Sequence, residues 1–170
     1  MTTDARALGK TFDITNALSV VDLNAGANTG LMVNMKNAEV CTFVFFGDAG
    51  TAGADLVFDL QESTALSGGT TQDLDIVTTW FKKEETTLDG DETWTRVTQS
   101  AASEVTVTDT GADVEQIYVF EVLATQLSDG FKYLSLNIAD ASQAKIGGVL
   151  AILSGLKQQR KPENLPAWAV

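Results

Sequence analysis

The chain is 170 residues long, with 44% apolar and 20% charged residues and a net charge of −12. That length suits one domain able to bury roughly 70% of the surface its unfolded form exposes, with no need of a disulfide or a metal. The acidic balance, with a pI near 4.2, excludes nucleic acid as a partner of the whole surface. The lack of histidine and the single cysteine, Cys41, remove the commonest general base and zinc ligand, the Ser-His-Asp and Cys-His sets, and any intrachain disulfide.

Residues 1–11 carry no clean pattern, with Arg6 and Lys10 near Asp4, and read as an N-terminal arm. The opening "MTTDARALGKTFDITNAL" has no apolar stretch of the kind that marks a signal peptide. The longest apolar run, "IGGVLAIL" from Ile146 to Leu153, is far short of the roughly 20 residues that span a bilayer. The sequence therefore predicts a soluble protein made in the cytoplasm, with no membrane partner.

From residue 12 to residue 155 the dominant signal is strand after strand. "LVFDLQE" puts Leu56, Phe58 and Leu60 on one side and Asp59 and Gln61 on the other. "SEVTVTDT" does the same with Val105 and Val107. "KYLSLNIAD" sets Leu134, Leu136 and Ile138 against Tyr133, Ser135 and Asn137. This is the period of two of strands with one buried face. Other runs are apolar on both faces: "VCTFVFFG" (40–47), "QIYVFEVLA" (116–124) and "IGGVLAILSG" (146–155). They read as central strands. The last could form a helix by length, but its glycines and β-branched residues favour a strand. Cys41, inside the first of these runs, reads as a small buried hydrophobe.

Turn signals punctuate the runs: "NAGANTG", "GDAGTAGAD", "LSGGTTQD", "LDGDE", "DTGAD" and "SDG". Each joins Gly to Asp, Asn or Ser, residues that tolerate positive φ or bond their own backbone. Their spacing leaves room for about eight to ten strands. The expected architecture is all-β, an antiparallel β-sandwich of jelly-roll-like character with extended N- and C-terminal arms.

"TTLDGDETWTRV" concentrates Asp89, Asp91 and Glu92 around Gly90. Counted from Asp89 as an EF-hand loop, Trp94 stands where the glycine is required, and the closing glutamate is missing. Asp-Gly between "IVTTWFKK" and "ETWTRVTQ" is instead a strong hairpin signal. No phosphate cradle or dinucleotide fingerprint occurs, and nothing marks a glycosidase carboxylate pair among the 23 acids. The sequence predicts no enzyme, no cofactor and no bound metal. Trp80, Phe81 and Trp94 could form a platform for sugars, but at strand spacing they read as core or interface residues.

Residues 156–170, "LKQQRKPENLPAWAV", differ from all of this. Lys157, Arg160 and Lys161 are three of eleven basic residues within a span of five, followed by Leu165 and Trp168 near Pro162 and Pro166. The prolines enforce an extended path, and apolar anchors on an extended arm suit docking onto a partner. Lys157, Arg160, Lys161, Leu165 and Trp168 are the expected docking residues.

In order, the patterns "LVFDLQEST", then "KK" followed by Leu88, Trp94, Val97 and Gln99, then "LSDGFKYL", the apolar "IGGVLAILSGLK" and the "RKPENLPAW" tail run along residues 17–168. In this the chain resembles the small acidic β-rich proteins of the structural gene block of tailed bacteriophages, the capsid decoration (cement) or minor capsid proteins. The resemblance rests on ordered strand patterns and on no catalytic signature. It implies a virion protein on the outside of an icosahedral head. Its partner would be the major capsid protein, its arms would clamp neighbouring subunits, and many copies would act through avidity. A self-associated form, a trimer, fits the threefold sites such proteins occupy. Two other readings remain open. One is a tail or neck component of the same kind of particle. The other is a carbohydrate-binding adhesion module, which would need Trp80, Trp94 or Tyr133 exposed on one face.

Overall fold

The computed structural model describes residues 7–108, 114–165 and 167. Eleven strands occur among them: β1 (Phe12–Asp22), β2 (Val33–Asn34), β3 (Val40–Gly47), β4 (Leu56–Ser63), β5 (Thr71–Asp73), β6 (Val77–Glu85), β7 (Thr95–Ala102), β8 (Glu104–Val107), β9 (Glu115–Leu123), β10 (Tyr133–Ile138) and β11 (Ile146–Ser154). Two antiparallel sheets pack face to face, which makes the chain an all-β sandwich. The first has six strands in the order β1-β11-β3-β9-β6-β7. The second runs β2-β10-β4-β5, with β8 pairing the other half of β4. Between Phe12 and Gly47, and again from β8 to β11, successive strands alternate between the sheets.

The period-two patterns build the core. Leu56, Phe58 and Leu60 of β4, Phe43 and Phe45 of β3, and Tyr118, Phe120 and Val122 of β9 are all buried. Phe58 from the second sheet meets Phe45, Tyr118 and Phe120 from the first, with ring centroids 5.1, 5.7 and 5.0 Å apart. Trp80 of β6 extends the cluster against Tyr118 and Phe120. These distances fall in the range in which aromatic pairs add to the burial of their area. The "GG" of β11 serves this core. Gly147 pairs with Gly47 of β3, and a Cβ on either would come within 2.6 or 2.8 Å of the Phe45 ring.

The strands apolar on both faces, β3, β9 and β11, do hold the central positions of the six-stranded sheet. Two expectations need refinement. The short pieces β2 and β5 take the count past ten, because brief edge pairings leave little periodic trace. The "LDGDE" signal does join a hairpin, β6 to β7, but through a wide loop over residues 86–94. There the Glu92 carboxylate accepts the amides of Asp89 and Gly90 at 2.6 and 3.1 Å.

The segments read as arms begin inside the fold. Ala7 accepts the amides of Lys10, Thr11 and Phe12, forming a turn that feeds β1. Leu156 is buried in the core. Lys157 donates its amide to the Asn37 carbonyl at 2.9 Å, and the Asn37 side chain exchanges two bonds with the Gln158 backbone. The Arg160 amide then reaches the Gly9 carbonyl. Residues 156–160 are thus a strap fastened to the domain.

Candidate docking surface

In a two-layer sandwich the outer face of each sheet ordinarily meets water and is polar. The outer face of the six-stranded sheet departs from this. Strand register lines up Arg96, Phe81, Val119, Val44, Leu150 and Asn16 in one row across all six strands. The next row holds Lys83, Ile117, Phe46 and Gly148. The row on the other side holds Glu121, Thr42, Ile152 and Ile14. Charges stand at the β6–β7 end and at Glu121, while the β1–β11–β3 part is mostly apolar, with Asn16, Thr42 and Asp48 at its margins. Val20 is 75% exposed, Phe46 56%, Ile146 50% and Leu150 49%.

A groove of about 430 Å3 runs through this part, between Val20 on one side and Phe46 and Leu150 on the other. Gly148 forms its floor, and a Cβ there would lie 3.0 Å from the Val20 side chain. A second groove of about 530 Å3, lined by Phe81, Glu121 and Leu123 among others, opens on the same sheet. Single exposed apolar residues are ordinary, but a contiguous apolar patch marks an interaction site. The residues on β3 and β11 are held by the ladder on both sides, so that part of the surface is ordered before any partner arrives.

Sequence reasoning did not single out Val20, Phe46, Ile146 and Leu150 as candidates. For Phe46, Ile146 and Leu150 the signal was present: strands apolar on both faces. It was read as burial on both faces, whereas one face is open.

The expected docking residues lie elsewhere. Lys157, Arg160 and Lys161 are exposed and Leu165 is half-buried. Leu165 sits against Gly9, its methyl 3.6 Å from the place of a Cβ on that glycine. Arg160 donates to the Gln158 side chain. Trp168 lies outside the described residues. The structure therefore brings Arg160 and Leu165 together around Gly9, with Lys157 further back on the strap.

The remaining candidates resolve as follows. Trp80 and Tyr133 are buried, at 4% and 8% exposure, and Trp94 is exposed with the Lys83 ammonium 5.1 Å over its ring. The three do not form one exposed aromatic face. Carboxylate oxygens of Glu85, Asp91 and Glu92 come within 4.8 Å of one another. The Asp91 carboxylate, followed by loss of solvent, Glu92 and Asp89, pushes Glu85 above the usual carboxylate range. Glu92 is held below it, chiefly by the Gly90 amide. Such mutual repulsion is what packed surface carboxylates produce. Burial pushes the Cys41 thiol up, which leaves it protonated and unreactive. Lys145 is buried, its ammonium donating to the carbonyls of Ala49 and Val114. No helix among the described residues is long and apolar enough to cross a membrane.

Against models of protein families, curated proteins and solved structures, the chain returns no match.

Proposed function

We propose that this protein is a structural component of a virus particle. It binds the outside of an icosahedral phage head and stabilises it by clamping neighbouring major capsid protein subunits. The observation that carries the reading is the open apolar face around Phe46, Ile146 and Leu150 on an otherwise acidic domain. A rigid apolar sheet face supplies the buried centre of an interface, and the net charge of −12 keeps decorated particles apart in solution. The resemblance of the strand patterns to decoration proteins supports the same reading. Beyond the strap at residues 156–160, the tail with Lys161, Leu165 and Trp168 would supply a further contact with a neighbouring subunit. Many copies on one shell make modest individual contacts effective, and a trimeric form multiplies them.

The test is co-sedimentation of the purified protein with heads of the phage that encodes it, both undecorated mature shells and unexpanded precursors. Saturable binding to mature shells is expected. Absence of binding to either form would remove the decoration role.

A further inference from the structure

At one end of the sandwich, three separate segments meet around an open cleft of about 310 Å3 lined by Met35, Lys36, Ala124, Leu127, Phe131, Lys132 and Lys157. It lies just past β2, in the β9–β10 connection and at the start of the strap. Its walls are fixed by backbone bonds: Met35 to Lys132 at 2.9 Å, Lys132 to Ser63 at 3.0 Å and Lys157 to Asn37 at 2.9 Å. The floor is apolar, with Met35 buried and Leu127 and Phe131 half-buried.

The rim is cationic. Three of the eleven basic residues of a chain with 23 acids stand around this one cleft. Lys36 donates to the Tyr133 hydroxyl at 3.0 Å and lies over its ring. No carboxylate among the described residues pairs with Lys36, Lys132 or Lys157. The cleft lining holds no carboxylate. Glu62 is buried, taking the Gln72 side chain and the Ser128 amide, and the exposed Glu39 and Asp129 belong to the adjoining segments but stand outside the lining. In a protein this acidic, three lysines around one cleft whose lining has no acid form a local site of opposite sign to the whole.

From this we infer that the cleft is a docking site for a short extended segment of a partner protein, in which one large apolar side chain is flanked by Asp or Glu. Charge complementarity identifies the flanks, since three unneutralised ammonium groups favour carboxylates and disfavour basic segments. The floor of Met35, Leu127 and Phe131 identifies the anchor, and methionine adapts to more than one apolar shape. The volume is at the lower end of ligand-sized cavities, about 300–1,000 Å3, so it takes a side chain and its adjoining backbone, not a folded surface. The site is separate from the outer sheet face and does not rest on the proposed decoration role.

The test uses a blocked synthetic peptide, acetyl-Glu-Asp-Leu-Phe-Asp-Glu-amide, titrated into the full chain by calorimetry. A lysine-for-acid peptide, a serine-for-Leu/Phe peptide and anionic phosphatidylglycerol vesicles serve as comparisons. Saturable binding of the first peptide alone is expected, with amide shifts at Met35, Leu127 and Phe131 in NMR spectra. The variant Lys36→Gln/Lys132→Gln/Lys157→Gln should bind about tenfold more weakly, and added salt should reproduce much of that loss. Lys132→Gln/Lys157→Gln, which keeps the Lys36–Tyr133 contact, should show the intermediate loss with an unchanged melting temperature. Four results overturn the inference: no peptide binding, binding indifferent to both variants, equal binding of the vesicles, or lysine-dependent self-association that assigns the cleft to a second copy.

Discussion

Phe46 stands opposite Gly148 across the β3–β11 ladder, on the open face of the six-stranded sheet. The ring projects beside a position with no side chain of its own, so aromatic surface and a depression lie next to each other. A partner can fill that relief with a protruding apolar group, the arrangement that concentrates binding energy at interfaces. Phe46→Gln with Leu150→Gln should therefore change unfolding free energy by only about 0.5 kcal/mol or less, as exposed substitutions do. Association with the partner should fall by tenfold or more, on the order of a hot-spot loss. Urea titration and co-sedimentation read the two quantities separately.

The neighbouring glycine behaves differently. A Cβ at position 147 meets the Phe45 ring at 2.6 Å, inside the core. Gly147→Ala should destabilise by about 1–3 kcal/mol, the usual effect of overpacking. At 148 the closest contact is the Val20 side chain at 3.0 Å, with backbone at 3.1 Å, so Gly148→Ala should cost less. Equal losses at both positions in a denaturant series would show that Phe45 moves aside.

Truncations should divide at the strap. Removing residues 161–170 leaves Leu156 and the Asn37 bonds in place, and the domain should melt as before. Removing residues 156–170 deletes a buried leucine and should cost about 2–5 kcal/mol. Asn37→Ala removes the two side-chain bonds to Gln158 and keeps the backbone bond to Lys157, so it should loosen the strap at Gln158 without unfolding the sandwich. Hydrogen exchange at the Gln158 amide, read by NMR, should accelerate while core amides keep their protection.

The hairpin carboxylates predict opposite pH effects. Glu85 is pushed up, first by Asp91. The folded state therefore holds that proton more tightly, and the ionised group destabilises above its folded pKa, an effect that fades as pH falls through that value. Glu92 is held down, first by the Gly90 amide. Its stabilisation is present above the unfolded pKa and is lost as pH falls through the folded one. Glu85→Gln should raise the melting temperature at neutral pH and Glu92→Gln should lower it. Both differences should vanish in acid, and scanning calorimetry across that range checks the signs.

Cys41 offers a label for global opening. It is fully buried, and burial pushes its thiol up. Disulfide reagents should leave the native protein untouched and react at the unfolding rate. Fast labelling under native conditions would show local opening of β3.

Much of the sandwich is legible in the sequence because burial on one face writes itself as alternation. Leu56, Phe58 and Leu60 announce β4, and Val105 announces β8. β2, with its two residues, has no period to detect. The docking face is hidden for a different reason. Phe46 and Leu150 obey the pattern of a strand buried on both sides, and sequence does not say whether this chain or another molecule covers the second side. The start of the tail is legible only in three dimensions. Its prolines and cations suggest an extended arm, and Asn37, more than a hundred positions away, bonds its residues Lys157 and Gln158. The cleft joins Lys36, Lys132 and Lys157, and only the meeting of three loops makes them one group.

The most direct test of the central claim is quantitative co-sedimentation with undecorated mature heads. Wild-type protein, the Phe46→Gln/Leu150→Gln variant and the chain lacking residues 161–170 would be compared at equal concentration. The account predicts saturable binding by the wild type, near-complete loss with the sheet-face variant, and a smaller loss with the truncation. Binding by the sheet-face variant at wild-type occupancy and affinity would contradict it.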